Sequence, residues 1–132
     1  MSLRRTFLFS ASVFLLSNIV VGEDIKIPCR NATSEAERGQ CLAKAVTQAE
    51  GDLGDALTST AIRIEALDMP KQEKEAYKAS VRRAQEAWRI YRDTQCDEVL
   101  LHSNYGGSGA GNAKAECRWS KTISRIKELS EQ

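Results

Sequence analysis

Residues 84–96, AQEAWRIYRDTQC, decide how this chain folds. Trp88 and Tyr91 stand three residues apart and Arg92 follows four after Trp88, the spacing of one face of an α-helix, and Cys96 closes the segment. Upstream the same steps of three and four run back through Ala84, Val81 and Tyr77, and downstream they reach Gln95. These positions are the predicted core seam of a helix that begins after Pro70 and extends to Leu100 or Leu101. Its other face carries Lys74, Glu75, Arg83, Glu86 and Arg89, a solvated charged surface.

Before Pro70 lies a second amphipathic pattern. Ser34 is placed to cap a helix, and Glu37 three residues later completes a capping box. From there Leu42, Val46, Ala49, Leu53, Ala56 or Leu57, Thr60, Ile64 and Leu67 recur at steps of three and four. Gly51 and Gly54 weaken that helix, each by about 1 kcal/mol relative to alanine, and leave open either a close helix approach or a mild bend. Asp68, Met69 and Pro70 end it and start the next, since proline suits a first helical turn and restricts the residue before it. Residues 103–112, SNYGGSGAGN, have turn composition and no periodicity. A third helix is expected from Ala113 to Leu129, with Cys117, Trp119, Ile123, Ile126 and Leu129 as its apolar set. No strand alternation or internal repeat competes. The predicted fold is all-α, an antiparallel up-down-up three-helix bundle stapled by two disulfides.

The N-terminus reads as an export signal over residues 1–22. Arg4 and Arg5 precede an uncharged, mostly apolar run from Phe7 to Gly22, which is short for a membrane span and is followed at once by Glu23 and Asp24. Its removal leaves one domain, residues 23–132, and shifts the net charge from +1 to about −1. That balance argues against nucleic acid or an anionic membrane as partner, because both demand a basic surplus. Periplasmic or secreted localisation follows, with no stable membrane insertion once the signal is removed.

Four cysteines in a short exported chain most simply make two disulfides. Zinc is the competing reading, but there is no Cys-x-x-Cys pair and His102 is the only histidine, so no metal and no cofactor is expected. On the up-down-up path Cys29, Cys41, Cys96 and Cys117 gather at one end, under the glycine-rich loop. Cys29–Cys41 and Cys96–Cys117 are the favoured pairs, and the levels also permit Cys41–Cys96.

Gln85, Trp88, Tyr91-Arg92-Asp93 and Cys96 together resemble the LprI-type lysozyme-inhibitor domain, a family of small exported bacterial proteins. The resemblance continues through Gly106-Gly107-Ser108, Cys117 and the Thr122, Arg125, Leu129 spacing, and Cys29, Thr33, Glu37 and Cys41 fit the family's opening. It implies a helical, exported protein and, by analogy with the family's namesake lipoprotein, inhibition of a lysozyme. A lipobox is missing here, since Lys26, Ile27 and Pro28 precede Cys29, so a membrane tether is not implied.

No residue pattern supports an enzyme. Trp88 and Tyr91 read as core packing, Arg92 as a side chain snorkelling along the seam edge to an acid or to helix-end carbonyls, and Asp93 as surface. Serine or cysteine chemistry needs a base, and His102 has no orienting partner in the sequence. The loop lacks the phosphate-cradling pattern. The expected function is therefore a non-enzymatic protein-binding one. Its candidate contacts are His102, Ser103, Asn104, Tyr105, Ser108 and Lys114, which offer hydrogen bonds and positive charge to a lysozyme's carboxylates. The alternative is an envelope interaction or structural module that inhibits nothing.

Overall fold

The structure is a computed structural model that describes residues 26–103, 107 and 109–132. The predicted signal segment lies outside the described residues. Helix α1 spans Glu35–Ala66 and α2 spans Lys71–Asp93. A π-helical turn, Thr94–Val99, leads into a single turn, α3 (Leu100–Ser103), and α4 spans Ala110–Ser130. The described residues contain three long helices and no strand. Both favoured disulfides are present, Cys29–Cys41 with Cα atoms 5.9 Å apart and Cys96–Cys117 with 5.6 Å, so the Cys41–Cys96 alternative falls away.

The start of α1 is built by its cap. Ser34 is extended, and its Oγ accepts the Glu37 N–H at 3.1 Å. The returning half of the expected capping box is displaced by one residue. Glu37 accepts from the Thr33 N–H at 2.8 Å and from the Thr33 hydroxyl at 2.6 Å. Those bonds hold its carboxyl below the ordinary glutamate value. Just upstream Cys29 adopts a left-handed backbone (φ 67°), unusual for a residue with a side chain, inside a turn that the disulfide to Cys41 ties to α1.

The α1 seam follows the sequence pattern closely. Leu42, Ala49, Leu53, Thr60 and Ile64 are buried, while Leu67, beyond the last helical residue, is exposed. A Cβ at Gly51 or Gly54 would meet nothing within 4 Å, so neither glycine marks a close helix approach. The tight position is Gly39, where a Cβ would stand 3.0 Å from Asn112 Oδ1. That contact also explains why α4 starts three residues earlier than the glycine-rich composition suggests. Asn112 donates to the Glu35 carbonyl at 3.1 Å and to its carboxylate at 2.7 Å, anchoring the first turn of α4 against α1. Arg38 pairs with Glu116 one turn on. At the other end of α4, the Leu129 carbonyl accepts from Arg63.

Helix α2 departs most from expectation. Of its predicted seam, Val81, Trp88 and Gln95 are half-buried, but Tyr77, Ala84 and Tyr91 are exposed, Tyr91 by 54%. The inward face is rotated toward Lys78, Val81, Gln85, Trp88, Arg92 and Cys96, four of them polar or cysteine. Hydrophobic periodicity cannot find a face whose buried members carry charge. The π-helical turn was also not predicted. In it the Leu100 N–H reaches the Gln95 carbonyl, one residue further than in an α-helix.

The apolar core is thus small: Leu42, Leu53, Ile64 and Leu129 are its large buried aliphatic side chains. Leu53→Ala is expected to cost about 2–5 kcal/mol, the upper part of that range if α1 and α4 cannot close the gap. Urea unfolding of the oxidised protein measures it, with a shift in midpoint at unchanged slope.

Candidate functional site

The segment from Trp88 to Cys96 is where the three long helices meet, and Arg92 is the junction. Its side chain is almost completely buried, with the residue 3% accessible. Nη1 pairs with Glu50 of α1 and donates to Thr122 Oγ1 of α4 at 3.1 Å, while Nε donates to Asp93 Oδ1 at 2.9 Å. The guanidinium carbon lies 4.9 Å from the centroid of the Trp88 ring. One planar fork with five donors can serve three partners at fixed angles, which a lysine ammonium could not do. The expectation of a snorkelling Arg92 therefore gives way to a buried one, although the acid pairing stands. Asp93 is not simple surface either. It is half-buried, and its Oδ1 also pairs with Arg118 at 3.2 Å.

Beside this junction the Cys96–Cys117 disulfide has an electrostatic twin one residue on. Arg118 pairs with Asp97 through two nitrogens, the Nε contact at 3.1 Å. The hydrogen-bonded guanidinium holds the Asp97 carboxyl below the usual aspartate range, and the carboxylate in turn raises Arg118. Thr122 is buried without a stranded hydroxyl, because Oγ1 donates to the Arg118 carbonyl at 2.7 Å. One turn further along α4, Arg125 is also buried. Its Nε donates to Gln85 Oε1 at 3.1 Å, and its Nη1 pairs with Glu128 at 2.8 Å. Gln85, Arg92 and Asp93 accordingly supply buried and half-buried polar contacts that hold α2 to α4.

Tyr91 faces outward next to that network. Lys121 of α4 lies over its ring, with Nζ 4.6 Å from the centroid and 3.1 Å from the phenol oxygen. The core role expected of Tyr91 is overturned, and the reason is Arg92: its burial turns the neighbouring position toward solvent.

The predicted loop contacts are only partly within view. His102 and Ser103 are exposed on α3, and the Ser103 hydroxyl donates to the Leu100 carbonyl at 2.9 Å. Lys114 is half-buried on α4. Asn104, Tyr105 and Ser108 lie outside the described residues. The disulfide Cys96–Cys117 joins the π-helical turn, which leads through α3 into this loop, to α4 after it. Away from this end, α1 and α2 border an apolar groove of about 350 Å³ floored by Leu57, Ala61, Ile64 and Val81, with Arg82 and Glu86 at its rim. Among the described residues no group of three or more His, Cys, Asp or Glu is arranged to hold a metal ion. Among them, too, no helix is long and apolar enough to cross a membrane.

In comparison with known proteins, the family model described as Lysozyme inhibitor LprI fits residues 29–129, a span containing all four cysteines and almost all of the three long helices. No curated protein and no solved structure matches.

The junction makes two measurable demands. Arg92→Met keeps the long stem against Trp88 and lets Glu50 and Asp93 hydrate, so it should cost less than about 2 kcal/mol. Replacing Glu50 and Asp93 together by alanine strands the buried guanidinium and should cost about 3–5 kcal/mol. Urea unfolding of both variants reads the order, and the reverse order would contradict the buried-charge account. For Asp97, the folded value lies below the unfolded one of about 3.9. Its stabilisation is complete above the unfolded value and disappears as pH falls through the folded one. Asp97→Asn should therefore lower stability at neutral pH and flatten the decline below about pH 4, as read by thermal melts across a pH series.

Proposed function

Because the chain belongs to the LprI lysozyme-inhibitor family, we propose that it is an exported, non-enzymatic protein that binds and inhibits a lysozyme. The carrying observation is the extent of the family match, residues 29–129, which takes in both disulfides and the loop between α3 and α4. In this reading residues 1–22 are a cleaved signal, residues 23–132 form one domain, and the protein works in the periplasm or outside the cell. Two disulfides support an oxidising compartment. A near-neutral chain supports a protein partner over nucleic acid or membrane.

We take the helices to form an antiparallel up-down-up three-helix bundle. The order of contacts supports this: α2 meets α1 through Lys78 with Glu65 and then Arg92 with Glu50, while α4 meets α1 through Glu116 with Arg38 and then Leu129 with Arg63. That path sets the loop at the disulfide-bearing end. We assign the lysozyme contact to His102, Ser103, Asn104, Tyr105, Ser108 and Lys114, whose chemistry offers donors and positive charge to the paired carboxylates that a glycosidase keeps across its saccharide cleft. A second reading, an envelope interaction module without lysozyme inhibition, draws on the apolar groove between α1 and α2 and on Ile62, 65% exposed on α1.

A turbidity assay of peptidoglycan lysis separates the two. The oxidised protein is expected to slow a c-type lysozyme, and a Tyr105→Ala, Ser108→Ala double variant to slow it less. Full inhibition by the folded double variant removes the loop from the interface. Absence of inhibition by the parent protein favours the interaction module.

A further inference from the structure

On α4, Arg118 and Arg125 each hold a carboxylate, Asp97 and Glu128 respectively. Lys121, between them on the same helix, holds a phenol instead. Its neighbours three and four residues away on α4 are Cys117, Arg118, Ser124 and Arg125, and those of Tyr91 are Ala87 and Trp88 on α2 and Thr94 and Gln95 in the π-helical turn. None is acidic. The ammonium is therefore positioned by an aromatic ring and a hydrogen bond, half-buried, with no carboxylate paired to it among the described residues. Tyr91 remains 54% exposed beside it, and the next residue, Ile90, is 60% exposed.

We infer that the α2–α4 face centred on Tyr91 and Lys121 is a docking surface for the carboxylate-lined saccharide cleft of a lysozyme. The inference rests on the inhibitor reading and extends the contact from the loop onto the adjoining helices. Three features carry it. The charge is complementary, since a lysine held by a phenol meets a cleft that carries a pair of carboxyl groups. The geometry is preorganised: Lys121 is already held over Tyr91, so little side-chain freedom is lost on binding. The platform is also rigid, because Tyr91 stands beside buried Arg92 and Lys121 sits one helical turn after Cys117 of the disulfide. Tyrosine is among the residue types that carry binding energy in protein interfaces.

The test compares the oxidised parent with Tyr91→Ala, Lys121→Glu and, as a charge-reversal control on α1, Lys44→Glu. Binding to a purified c-type lysozyme is measured by calorimetry, and folding by circular dichroism and melting. Both α2–α4 variants are expected to fold as the parent does and to bind about tenfold more weakly or worse, with Lys44→Glu unchanged. Parent-like binding by folded Tyr91→Ala and Lys121→Glu overturns this surface and leaves the inhibitor reading standing. Failure of the parent itself to bind overturns both. If the two variants keep lysozyme binding but lose binding to soluble peptidoglycan fragments, the face belongs to an anionic glycan and the inference fails.

Discussion

A single buried guanidinium governs the architecture. Arg92 comes out of water among three helices, and a charge in that position is tolerable only while it keeps hydrogen-bond partners and a counter-charge within reach. Glu50, Asp93 and Thr122 meet that condition from α1, α2 and α4 respectively. Once they do, the roll of α2 about its axis is set. Gln85 turns toward Arg125, Cys96 toward Cys117 and Asp97 toward Arg118. The same roll turns Tyr91 outward onto Lys121. The surface we assign to partner binding is in this sense a by-product of how the interior is neutralised.

This arrangement suits a thin core. With few large aliphatic residues buried, much of the register between helices is specified by polar contacts that tolerate no slippage: Arg38 to Glu116, Asn112 to Glu35, Arg125 to Gln85. Apolar packing along α1 and α4 supplies the driving force, and directional bonds choose among its close alternatives.

How much of this was legible in the sequence depends on what each position contributes. The α1 boundaries followed from Ser34 and Pro70, because caps and proline act locally, and its seam followed from aliphatic residues at regular steps. Levels along the helices favoured the observed cysteine pairs but left Cys41–Cys96 open, which only the structure removes. The inner face of α2 did not follow, since Lys78, Gln85 and Arg92 read as polar, and polar positions are ordinarily assigned to solvent. On α4, Thr122 and Arg125 are buried where Trp119, Ile123 and Ile126 are only half-buried, for the same reason. The spacing Thr122, Arg125, Leu129, singled out through the family resemblance, was the available signal for that face. The early start of α4 had no local signal. It comes from Asn112 reaching Glu35, a contact between residues far apart in the chain.

The placement of the two disulfides makes the molecule mechanically lopsided. One crosslink ties the lead-in to α1 and the other ties the π-helical turn after α2 to α4, whereas α1 is held to α4 by reversible contacts such as Arg38 with Glu116 and Arg63 with the Leu129 carbonyl. The end of α2 and the start of α4 are therefore tied covalently, while α1 can separate from α4 without breaking a covalent bond. The α2–α4 face we propose for binding is insulated from that separation. Reduction of Cys96–Cys117 would remove the tie, so the redox state of the surroundings sets how firmly that face is held.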